Sequence, residues 1–113
     1  MNADKELLEL AAKAAGATWI DDNWPEDFPG LMLDFGHGTT LWNPLDDDGN
    51  ALRLAVKLRL EMYQSLNCGL WTVFVGYSKN GRIVYVAEQA GDDVLAATRR
   101  AIVRAAAEIG KSL

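Results

Sequence analysis

The sequence predicts an α+β domain: an antiparallel sheet of four to five strands packed with three helices, in the order α-β-β-α-β-β-β-α. Three observations carry that expectation. Apolar residues recur at three- and four-residue spacings near both ends of the chain, over 4–15 and 94–109, the period of a half-buried helix. Runs rich in β-branched and aromatic residues, above all 71–77 and 83–87, lie between them. Short clusters of Gly and Asn join those runs as hairpins, which makes neighbouring strands antiparallel. At 113 residues the chain has the length of one domain, spanning 1–113. A chain of that size buries about 65% of its unfolded surface, enough for a core without covalent staples.

Each element has a local reason. In 4–15, Leu7, Leu8, Leu10, Ala11, Ala14 and Ala15 form one apolar stripe, Asn2 or Asp4 is placed to cap it, and Gly16 to stop it. An irregular stretch follows to Pro29, with Trp19 and Trp24 among acids and two prolines. Residues 31–35 read as a strand, Gly36-His37-Gly38 as a turn, and 39–42 as the returning strand. Pro44 has no N–H to donate and ends it. Asp46, Asp47 and Asp48 then suit the positive end of a second helix. Its wet face carries Arg53 and Lys57; its buried face carries Ala51, Leu54, Ala55 and Leu58.

The end of this helix has two readings. Continued to Leu66, it puts Arg59 among apolar positions; a strand over 60–64 removes that conflict, turns Leu60 and Met62 inward, and is preferred. Asn67-Cys68-Gly69 makes a turn into 71–77. Asn80-Gly81 predicts a two-residue type I′ hairpin, since both residues tolerate positive φ. Asp92 and Asp93 cap a last helix over 94–109, with Leu95, Ile102, Ala106 and Ile109 inside, Arg100, Arg104 and Glu108 outside, and Gly110 as its stop.

Charge and composition narrow the function. The net charge is −5, and no Lys or Arg lies between Lys13 and Arg53. That gap holds Asp21, Asp22, Glu26, Asp27, Asp34, Asp46, Asp47 and Asp48, or −8, so the rest of the chain carries +3. Binding to DNA or an anionic membrane through net charge is not expected, because neutralising phosphates needs a cationic surface. The row Arg99, Arg100 and Arg104 is short and reads as a solvated helix face. No apolar run is long enough to span a membrane, and the N-terminus has no secretory pattern. One cysteine, Cys68, leaves no internal disulfide and suits the cytoplasm.

Sites of known chemistry are not expected. A single His and a single Cys fall short of structural zinc. His37 between glycines has no nucleophile or orienting acid beside it, and reads as a turn residue. Cys68 lacks a cationic neighbour to lower its pKa. Counted from Asp46, the sixth and twelfth positions are Ala51 and Lys57 rather than the Gly and Glu of a calcium loop. Gly36-His37-Gly38 lacks the Gly-Lys-Ser/Thr of a phosphate loop. Trp42 is expected to pack at its strand end. The remaining feature runs from Trp19 to Pro29, where aromatics alternate with acids. It reads as a lid over one end of the sheet or, if Trp24 and Phe28 are exposed, as an interaction surface. The candidate partner-binding residues are Asp21, Asp22, Trp24, Glu26 and Asp27.

Three blocks also carry a resemblance: Glu6 to Gly16, Trp42-Asn43-Pro44-Leu45 with the acidic run and Ala51 to Leu58, and Ala96 to Gly110. Together they resemble small prophage-encoded proteins of proteobacteria, while 18–30 and 64–91 match nothing in that pattern. The resemblance implies an α/β/α sandwich domain of unassigned function, a phage origin and an address in the host cytoplasm. It supplies no catalytic residues. The expected function is a non-enzymatic phage accessory protein, without cofactor or metal, that binds a host or phage protein. The alternative is an acidic mimic that blocks a nucleic-acid-binding surface of a host defence or regulatory protein.

Overall fold

The structure is a computed structural model that describes residues 3–20, 30–36 and 38–113. The described residues form three helices and six strands: α1 (Ala3–Ala14), β1 (Trp19–Ile20), β2 (Leu31–Asp34), β3 (Thr39–Trp42), α2 (Asp48–Leu58), β4 (Glu61–Asn67), β5 (Leu70–Lys79), β6 (Arg82–Ala90) and α3 (Val94–Lys111). The α+β class and the predicted order hold, with the two-residue β1 added ahead of the first hairpin.

The single sheet does not hold. Strands β1-β2-β3 form one antiparallel sheet and β4-β5-β6 another. The separation begins at Asn43. Its side-chain oxygen accepts from Leu45 N–H and its carbonyl from the Asp46 and Asp47 N–H groups, so the chain leaves β3 in a tight turn straight into α2. Helix α2 packs on α3, and α3 packs on β5 and β6, so a helical layer lies between the two hairpins. Among the described residues all the helical packing on the larger sheet is on one face. Among the described residues the layers run small sheet, helices, large sheet. One core joins both sheets: Leu31, Leu33 and Trp42 from the small one, Val73, Val75 and Tyr77 from the large one, and the alanine-rich faces of the helices.

Several of the local stop and start signals act as read; Asp4, offered as a cap of α1, instead lies in its first turn, Asn2 lies outside the described residues, and Gly110 differs as well. Gly16 has φ +83, and Ala17 N–H reaches back to the Ala12 carbonyl to close α1. Asp47 caps α2 by accepting from Asn50 N–H at 2.8 Å, and Asp93 caps α3 by accepting from Ala96 N–H at 2.9 Å. Arg59 ends α2 in the left-handed conformation, φ +54, which takes it out of the helix and lets β4 begin at Glu61. Gly110 does not stop α3. It is buried inside the helix, where a Cβ would stand 2.8 Å from the Leu10 carbonyl carbon and closer still to its oxygen. Glycine is there to let α1 and α3 touch backbone to backbone.

Two apolar positions also differ. Leu95, expected on the inner stripe, is 61% exposed, because α3 buries Ala97, Ala101, Ile102, Val103 and Ala105 to Ala107 instead. Met62 does share the face of its partner Val75, toward α3, yet it is 45% exposed. Helix α3 lies over β5 and β6 and hardly reaches β4.

Candidate protein-docking surface

Two tight turns set the geometry of the large sheet. Asn80 and Gly81 have φ +53 and +79, and Cys68 and Gly69 have φ +53 and +79, so both hairpins close through the same two-residue turn. Asn67 therefore pairs with Leu70 and Lys79 with Arg82, and every other partner follows. Glu61, Gly76 and Tyr85 share one row across the sheet; Tyr63, Phe74 and Ala87 share the next. These rows stand on the face away from α3, since the alternate residues Val73, Val75 and Tyr77 are buried beneath the helix.

An aromatic cluster occupies that outer face. Tyr63 stacks on Phe74 at 4.9 Å between centroids, with 14° between the planes, and meets Tyr85 edge-on at 5.7 Å. Tyr85 crosses β5 at Gly76, where a Cβ would stand 2.7 Å from the ring and from Ile83 Cγ2. Only glycine leaves room for that crossing. The Tyr85 hydroxyl then donates to Glu61 Oε1 at 3.3 Å. Desolvation, the negative charge of Glu61 and this hydrogen bond hold the Tyr85 hydroxyl above the ordinary tyrosine pKa. Despite these contacts Tyr63 is 48% and Tyr85 43% exposed, and Leu70 and Ile83 on the same face are exposed as well. An exposed patch of aromatic and branched side chains, held in one arrangement by its own contacts, is the composition of a protein interface.

The two free edges of this sheet differ. On β6, Arg104 donates to the Ala87 carbonyl at 2.9 Å and also pairs with Glu88, so a charged side chain covers the middle of the edge. Strand β4 has seven residues, no Lys, Arg or Pro, and one acid at its start. Among the described residues it is the unguarded edge.

The residues singled out in the sequence are distributed as follows. Asp21, Asp22, Trp24, Glu26 and Asp27 lie outside the described residues, as do Asn2, Phe28 and His37, so neither the lid nor the acidic rim has a described position. The rest of the acidic run has local employment. Asp34 accepts from Gly36 N–H at 2.6 Å, Asp47 is a cap, and Asp48 pairs with Arg99 at 2.7 Å; Asp46 is exposed. The arginine row is not a solvated face. Arg99 also donates to the Leu45 carbonyl at 2.8 Å, Arg100 pairs with Asp4, and Arg104 holds β6, so the three tie α3 to α2, α1 and the sheet. Trp42 is buried as expected, edge-on to Phe35. Between the small sheet and α2 a cleft of about 410 Å³ opens beside Phe35, Thr40, Trp42, Arg53, Leu54 and Lys57. Cys68 is exposed at the β4–β5 turn.

No protein-family model, curated protein or solved structure matches the chain. Among the described residues no helix is long and apolar enough to cross a membrane. The aromatic cluster was missed in the sequence, although its signal was present. The Asn80-Gly81 turn by itself places Tyr85 opposite Gly76; the first turn reads in the sequence as Asn67-Cys68-Gly69, and only its closing through Cys68 and Gly69 alone places Tyr63 opposite Phe74.

Proposed function

We propose that this protein is a non-enzymatic protein-binding module, a prophage accessory protein working in the host cytoplasm, and that its partner docks on the outer face of β4-β5-β6. The cluster of exposed Tyr63 and Tyr85 around half-buried Phe74 carries this reading. Aromatic anchors on a rigid strand platform lose little side-chain entropy on binding, and such residues supply most of the energy at protein interfaces. The phage origin rests on the three sequence blocks alone. Acidic mimicry is the weaker reading, because three of the four described acids in the cation-free stretch cap helices, bind turns or pair with Arg99.

The test is comparative affinity capture from host lysate with the parent and with a Tyr63→Ser/Ile83→Thr variant, read by mass spectrometry. A protein held by the parent and lost by the folded variant supports the face. Equal retention by both proteins refutes it. The salt dependence of the captured complex separates the two readings: shallow for an apolar face, steep for an acidic mimic.

A further inference from the structure

Strand β4 has a property that the aromatic face does not use. The pair that closes a two-residue turn exchanges both backbone hydrogen bonds, and such pairs alternate along an antiparallel ladder. From Asn67–Leu70, the β4 residues bonded to β5 are therefore 61, 63, 65 and 67, and those whose N–H and C=O face the other edge, which no described strand pairs with, are Met62, Gln64 and Leu66. The same count along β6 turns Ala87 outward, and its carbonyl is indeed the one Arg104 caps.

We propose that a second copy of this chain covers this edge, its β4 antiparallel to the first about a two-fold axis through Gln64. In that register Gln64 faces Gln64 and Met62 faces Leu66 of the second copy, twice. All three outward residues of each strand then find partners, making six backbone hydrogen bonds across the join. Registers shifted along the strand leave some of these groups unpaired. The side chains agree with the pairing. Met62 and Leu66 are 45% and 56% exposed on the α3 side of the sheet, beyond the helix's reach, and each meets an apolar partner across the axis. Glu61 falls opposite Asn67, so no like charges oppose each other although each copy carries −5. The interface is isologous, as closed two-fold dimers require. A join of one strand pair is smaller than the ~800 Å² per copy of a standard interface, so the dimer is expected at high protein concentration. The result is a six-stranded sheet that carries two aromatic clusters on one continuous face. This inference deepens the protein-binding reading but stands or falls separately from it, because Met62 and Leu66 are on the opposite face from Tyr63 and Tyr85.

The test uses the chain's own single cysteine. Cys68 lies four residues from the axis, so two nitroxide labels attached there stand about 27 Å apart at ~3.4 Å per residue. Double electron–electron resonance on the labelled parent at high micromolar concentration should give a distance distribution centred there, and sedimentation should show reversible dimerisation. Met62→Lys/Leu66→Lys sets like charges opposite each other twice and should weaken the dimer at least about tenfold, with unchanged circular dichroism. Met62→Lys/Leu66→Glu sets opposite charges in the same places and should restore it. A parent that stays monomeric at these concentrations overturns the proposal. So does a dimer whose labels lie far from 27 Å, or a charge-complementary variant no better than the like-charged one.

Discussion

Gly110→Ala is the sharpest test of how the helices pack. In an isolated helix the substitution would stabilise by about 0.8–1.0 kcal/mol, since alanine orders at lower entropic cost than glycine. Here the added methyl group meets the backbone of Leu10, with 2.8 Å to its carbonyl carbon. A mid-helix carbonyl cannot swing aside as a long side chain does, so α1 and α3 must separate by roughly 1 Å. A gap of 0.5–1 Å forfeits a quarter to a half of each van der Waals well along the seam. That seam includes Ala11 and Ala12, both fully buried. Overpacking of this kind costs typically 1–3 kcal/mol and sometimes more. Because relief requires movement of a whole helix, we take the upper end, about 3–4 kcal/mol. After the propensity gain the expected net loss is about 2–3 kcal/mol, or on the order of 10 °C in Tm. Urea denaturation followed at 222 nm measures it, with Gly91→Ala as the control, since nothing lies within 4 Å of a Cβ there. The control should change stability by less than about 0.5 kcal/mol. A Gly110→Ala protein as stable as the parent, or more so, would refute the backbone contact between α1 and α3.

Three further outcomes are expected. Gly81→Val should destabilise by about 1–2 kcal/mol in urea, because φ +79 is a left-handed conformation that a β-branched residue resists, while open space around the site removes any clash. Arg99→Ala should cost about 1–2 kcal/mol through the orphaned Leu45 carbonyl, and Asp48→Asn less, since Asp48 is largely exposed; equal losses from the two variants would show that the ion pair, not the carbonyl bond, matters. In a spectrophotometric titration Tyr85 should ionise above the usual value of about 10, and Glu61→Gln should lower its pKa by removing the negative charge; no change would show that Glu61 does not act on it.

What the sequence by itself determined was what short-range chemistry determines. A left-handed φ at Asn80-Gly81, a carboxylate capping the first N–H groups at Asp47 and Asp93, a glycine closing α1 at Gly16 and the expulsion of Arg59 from α2 each depend on a few neighbouring residues. With those in place the α+β class and the element order were legible. The tertiary structure decided what depends on which surface covers which. It divided the strands into two sheets, because a turn held by one asparagine sends the chain into a helix that packs elsewhere. Gly110 became a contact rather than a stop, since only the approach of α1 gives its missing Cβ a meaning. Leu95 and Met62, apolar and in phase with their elements, stayed exposed because α3 buries its alanine face and ends its cover at β5. Among the described residues the same incomplete cover leaves the β4 edge and the aromatic face open. Periodicity reports which residues share a face, and only the packing of the whole chain determines whether that face is covered.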